Sequence, residues 1–63
     1  MERKRFGLYV QSGLGRFVYA ADGAWRSEKK ADPKLLDLNR AKFAKANLQK
    51  KNAKPIKMMM VWV

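Results

Sequence analysis

The chain has 63 residues, 15 Lys+Arg against 5 Asp+Glu, a formal charge of +10, and neither Cys nor His. That length holds one small domain, read here as residues 1–63, which buries only about 60% of the surface its unfolded form exposes. Disulfides and the usual zinc, haem and iron–sulfur ligand sets are excluded, so no cofactor is expected.

Apolar residues make up 48% of the chain, as in an ordinary globular domain, which argues against wholesale disorder. The longest apolar run, Met58–Val63, is far below the roughly 18 residues a membrane span needs. With no Cys to oxidise, the expectation is a cytoplasmic protein with no membrane span.

Phe6–Val10 and Arg16–Ala20 are rich in aromatic and β-branched residues and flank Ser12-Gly13-Leu14-Gly15, the pattern of a β-hairpin. A loop of two or four residues puts Phe6, Leu8, Val10, Phe17 and Tyr19 on one apolar face. Arg3, Arg5, Tyr9, Gln11 and Arg16 then point the other way. A loop of three exchanges the partners and makes Tyr9, Phe17 and Tyr19 an aromatic platform for unpaired bases. A chain this short needs its aromatics as core, so the even loop is expected, with Tyr9 left to meet a ligand. Gly7, Gly13 and Gly15 read as turn and bulge glycines, because no Gly-Lys-Ser/Thr follows to make a phosphate loop.

Asp22-Gly23 is a second turn signal, and Ala24–Ser27 reads as a short third strand. Asp32-Pro33 is a helix start, with Asp as N-cap and Pro at the first helical position. The helix is expected from Pro33 to about Lys51, ended by Asn52 and barred from continuing by Pro55. Its residues fall into three stripes: Leu35, Leu36, Phe43 and Ala46; Lys34, Leu38, Lys42, Lys45 and Gln49; and the small strip Ala41, Ala44 and Leu48. Contacts on two sides are therefore expected. Ile56–Val63 reads as a terminal strand, with Ile56, Met58, Met60 and Trp62 on one face and Met59, Val61 and Val63 on the other. Being apolar on both faces, it is expected to be central in the sheet or covered by a partner chain.

These elements specify an α+β fold of order β-β-(β)-α-β: a small antiparallel sheet with one helix packed on one face. Its outstanding chemistry is charge. From Leu38 to Val63 there is no Asp or Glu, and Arg40, Lys42, Lys45, Lys50, Lys51, Lys54 and Lys57 have no acidic neighbours for i,i+4 pairing. Such a field suits a polyanion. The candidate nucleic-acid-binding residues are Arg3, Lys4, Arg5, Tyr9 and Arg16 from the sheet, with Lys42, Lys45, Lys50, Lys51, Lys54 and Lys57 from the helix and its exit. The ordinary alternative for the same residues is a solvated face or a frayed terminus.

Catalysis is not expected: the carboxylates are scattered, and no His or Cys is present to act as base or nucleophile. The expected function is non-enzymatic binding of RNA or DNA, mainly through phosphates. The alternative is a small regulator that docks on an acidic protein surface, with Ile56, Met58, Met60 and Trp62 pairing two copies or a partner strand.

Overall fold

A computed structural model describes residues 3–63; the single-domain reading also takes in Met1 and Glu2, which lie outside the described residues. The elements are β1 (Lys4–Ser12), β2 (Gly15–Tyr19), β3 (Trp25–Ser27), α1 (Leu38–Gln49) and β4 (Lys57–Trp62). They form one antiparallel sheet in the order β3-β2-β1-β4, with the helix on one face, as the α+β reading expects.

The hairpin register is the even one. Tyr9 lies opposite Val18 and Ser12 opposite Gly15, leaving the two-residue loop Gly13-Leu14. Gly15 takes a φ of +124°, which a side chain would oppose. The second turn closes through Gly23 at φ +83°, with Ala20 N–H donating to Ala24 O. Leu8 and Val10 are buried on the helix face beside Phe17, Tyr19, Trp25 and Met58, and Ile56 joins them from the end of the helix exit. Each fully buried aliphatic side chain contributes about 1.5–3 kcal/mol, so this small cluster is the main source of stability.

The helix begins five residues later than its apparent signal, at Leu38 rather than Pro33. Asp37, not Asp32, is the N-cap, and its carboxylate accepts from Arg40 N–H at 2.7 Å. The reason is tertiary. Residues 33–36 are held extended by the sheet: Lys34 N–H donates to Tyr19 O at 2.8 Å, and Phe6 and Leu36 exchange backbone hydrogen bonds of 2.7 and 2.8 Å. The packing face is the small-residue strip. Ala41 is buried and Ala44 and Leu48 half-buried, because alanines let the helix approach the sheet closely. The Leu35, Leu36, Phe43 stripe does not form the core; Phe43 is 72% exposed.

Gln49 fixes the helix exit. Its amide nitrogen donates to Asn52 O and Lys54 O at 3.1 and 2.9 Å, and its oxygen accepts from Ile56 N–H at 2.8 Å. The chain is thereby turned into β4. That strand lies at the edge of the sheet, not at its centre, because β1 takes the central position between β2 and β4.

The opposite face of the sheet has its own small buried patch. Val18 and Ala20 are buried there, and the connection before the helix passes over Gly7 at Pro33. A Cβ built on Gly7 would stand 3.0 Å from Pro33 Cβ, so this glycine is required by close approach and not by a turn or bulge.

Candidate nucleic-acid interface

The register sorts the sheet's cations by face. Arg5, Tyr9, Gln11, Arg16, Arg26 and Lys57 share the face away from the helix, through the pairs Arg5–Val61, Tyr9–Val18, Gln11–Arg16, Val18–Arg26 and Tyr9–Lys57. Tyr9 is the middle of this group. Lys57 stands directly opposite it on β4, and the Arg16 guanidinium lies 4.3 Å from its ring centroid on the other side. Arg5 is four residues along the same strand, roughly 13 Å away. Arg3 continues the alternation, tied by two backbone hydrogen bonds to Val63, so this segment is a paired strand end and not a frayed one.

Two carboxylates reach this face. Glu28 lies 3.9 Å from Arg16, too far for a hydrogen bond and worth little between half-exposed groups. Asp22 is bonded by both Nε and an Nη of Arg26, which holds its carboxyl below the usual aspartate value, helped by the Ala24 N–H. Arg26 is thus neutralised. Arg5, Lys57 and Arg3 have no carboxylate partner among the described residues.

The remaining candidates lie elsewhere. Lys4 is on the helix face of the sheet, with its ammonium 5.2 Å from the Trp62 ring centroid. Lys42 and Lys45 lie on one flank of the helix, Lys45 half-buried. Lys50 and Lys51 follow its last turn, where they complement the negative end of the macrodipole. Lys54 is exposed in the loop that Gln49 anchors. The eleven candidate residues therefore do not form one patch. The sheet separates Arg5, Tyr9, Arg16 and Lys57 from Lys42 and Lys45, and only the exit loop, through Lys51, Lys54 and Lys57, joins the two sides.

A groove of about 490 Å³ lies on the other flank of the helix, lined by Tyr19, Lys34, Leu36, Asn39, Arg40, Phe43, Ala44 and Asn47. It joins an exposed ring to two cations and two amides. Sequence reasoning grouped Phe43 with Leu35, Leu36 and Ala46 on one helix stripe and left Lys34 and Arg40 out of the candidate set. The spacing Asn39, Phe43, Asn47 with Arg40 was the available signal, since positions four apart share a helix face.

Among the described residues no cluster of His, Cys, Asp and Glu could hold a metal ion, and no helix is long and apolar enough to cross a membrane. The molecule is thus an α+β sheet-and-helix domain with a divided basic surface. Compared with known proteins, the chain matches no family model, no curated protein and no solved structure.

Proposed function

We propose that this chain binds RNA or DNA without catalysing a reaction, chiefly through phosphates, and acts in the cytoplasm. The observation that carries the reading is the group around Tyr9. Arg16 and Lys57 flank a half-buried ring on one sheet face, with Arg5 farther along the same strand beyond Pro33, and among the described residues only Glu28, at 3.9 Å from Arg16, approaches these three cations. Cations in such a row neutralise successive phosphates, and the ring can stack on a base or a sugar. Lys51 and Lys54 extend the charge around the helix exit. The exposed Phe43 beside Lys34 and Arg40 supports a single strand over a duplex, because only unpaired bases offer a free stacking face.

The test is a salt titration with RNA and DNA of matched length. The logarithm of the affinity should fall linearly with the logarithm of salt, with a slope near −0.7 for each phosphate neutralised on a single strand. Binding unchanged by salt overturns the reading.

A second reading, a small regulator docked on an acidic protein surface, is favoured by the open edge of β4, to which a partner's strand could add. Charge reversal at Lys50, Lys51 and Lys54 separates the two. It should weaken nucleic-acid binding and leave strand pairing at β4 intact.

A further inference from the structure

The backbone of β4 carries a row of unused hydrogen-bonding groups whose identity follows from its register. Arg3 and Val63 exchange both of their N–H···O bonds, at 2.7 and 3.0 Å. In an antiparallel ladder such pairs alternate with pairs that do not bond each other. The bonded pairs along β1 and β4 are therefore Arg5–Val61, Gly7–Met59 and Tyr9–Lys57, and the others are Lys4–Trp62, Phe6–Met60 and Leu8–Met58. Phe6 fits this parity, since its backbone bonds on the opposite side, to Leu36. Met58, Met60 and Trp62 consequently direct their N–H and C=O groups out of the sheet, where no described residue meets them.

The edge lacks the usual protection. Met58–Trp62 contains no charge and no proline, and β4 pairs with β1 without a bulge. Met60 and Trp62 are each about half exposed, at 52% and 53%.

We infer that β4 pairs antiparallel with β4 of a second copy about a two-fold axis at Met60, joining the two sheets into one of eight strands. This register sets Met60 against its own counterpart and Met58 against the counterpart of Trp62, so all the outward groups of both strands find partners. A shift of one residue would oppose groups already bonded to β1, and a shift of two would leave one end unpaired. The chemistry of the edge selects the occupant. Five successive uncharged, apolar residues are complemented by the same apolar stretch, whereas an acidic strand would meet cations only at the two ends, Lys57 at one and the Lys4 ammonium over Trp62 at the other.

The axis is perpendicular to the sheet, so both helices lie on one side and the two Tyr9 groups on the other, roughly 25 Å apart from the strand and residue spacings. What opposes the pairing is the charge of the two copies, +10 each, which salt screens. Salt should therefore strengthen this association while it weakens nucleic-acid binding, so the two proposals fail independently.

The experiment is sedimentation of the purified chain, free of nucleic acid, at about 0.1 M and about 1 M salt, where the Debye length falls from ~10 to ~3 Å. A dimer is expected at high salt, with a larger dissociation constant at low salt. Met60→Pro removes only an outward N–H and leaves the bonds to β1 intact, so the fold should persist by circular dichroism. It should raise the dissociation constant about tenfold or more, because both bonds at the axis are lost. Met60→Lys places like charges opposite each other at the axis and should do the same; it decides the matter if the proline variant unfolds. A monomer at both salt concentrations overturns the inference. So does a dimer that Met60→Lys leaves unchanged, or pairing of β4 with a foreign strand in preference to its own copy.

Discussion

The Arg16 guanidinium lies over the Tyr9 ring, 4.3 Å from its centroid, and Lys57 stands directly opposite the same tyrosine on the neighbouring strand. The contact orders Arg16 and keeps its charge at the surface, where Glu28 at 3.9 Å offsets it only weakly. Arg16→Gln and Lys57→Gln should each lower affinity for a short single-stranded RNA and flatten the salt dependence by roughly one phosphate contact. Tyr9→Leu should weaken binding without changing the slope, since it removes a stacking face and no charge. Equal slopes for all variants in a fluorescence titration would remove this face from the binding surface.

Pro33 packs so closely over Gly7 that even a methyl group is out of place, with Cβ to Cβ at 3.0 Å and Met59 Cγ a further 3.4 Å neighbour. Met59 can swing aside; a proline ring held between Tyr19 and Phe6 by its neighbours' backbone bonds cannot. Gly7→Ala should cost about 1–3 kcal/mol of stability in urea unfolding. The cost should shrink in a Pro33→Gly background, and additive effects of the two substitutions would show that the pair is not coupled.

Two aspartates compete in the sequence for the start of the helix, and the structure gives the role to Asp37. Asp37→Ala should destabilise by about 1 kcal/mol through loss of the cap to Arg40 N–H. Asp32→Ala, at an exposed position whose carboxylate accepts no hydrogen bond among the described residues, should fall within about 0.5 kcal/mol of the parent. Denaturant midpoints of the two variants decide between the two starts; the reverse order would restore Pro33 as the first helical residue.

The case of Asp32 shows where local pattern runs out. Asp32-Pro33 and Asp37-Leu38 are both competent starts, and what separates them is a set of hydrogen bonds to Tyr19 and Phe6, residues 15 to 30 positions away. The hairpin register was legible because strand alternation and the demand for core agree on one loop length. The packing face of the helix was legible only as one of three stripes, because Ala41 and Ala44 are weak hydrophobes whose value is close approach. The apolar character of β4 was plain from its residues, but its edge position depends on which side of β1 the chain returns to. The kinds of residue at the basic surface were likewise plain. Their division by the sheet, and the groove at Phe43, depend on that same return.

The turn after β2 carries a pH-dependent contact with a definite sign. Hydrogen bonds from Arg26, then from the Ala24 N–H, hold the Asp22 carboxyl below its ordinary value of 3.8. As pH falls, the unfolded chain takes up this proton first, so the contact's stabilisation is complete above the ordinary value and is lost as pH falls through the lower folded value. Asp22→Asn should therefore be less stable than the parent at neutral pH, with the gap closing in acid. Both side chains are about half exposed, so the gap is small and is read best by following the Asp22 carboxyl by NMR alongside urea midpoints. A gap that widens in acid would contradict the assignment.

Phe43 is 72% exposed on the wall of the groove that also holds Tyr19, Lys34 and Arg40. Left open to water, a ring of this size contributes little to the fold, so Phe43→Ala should change stability by no more than about 0.5 kcal/mol. If single strands stack there, the same substitution should weaken binding of a short single-stranded RNA by about 1–3 kcal/mol, the usual worth of one base–aromatic stack. Duplex of the same length has no free base face and should be unaffected. Arg40→Gln should weaken both forms, because phosphates are common to them. Equal losses of single-strand and duplex affinity in Phe43→Ala, or none in either, would take base stacking out of the groove and leave the basic sheet face as the binding surface.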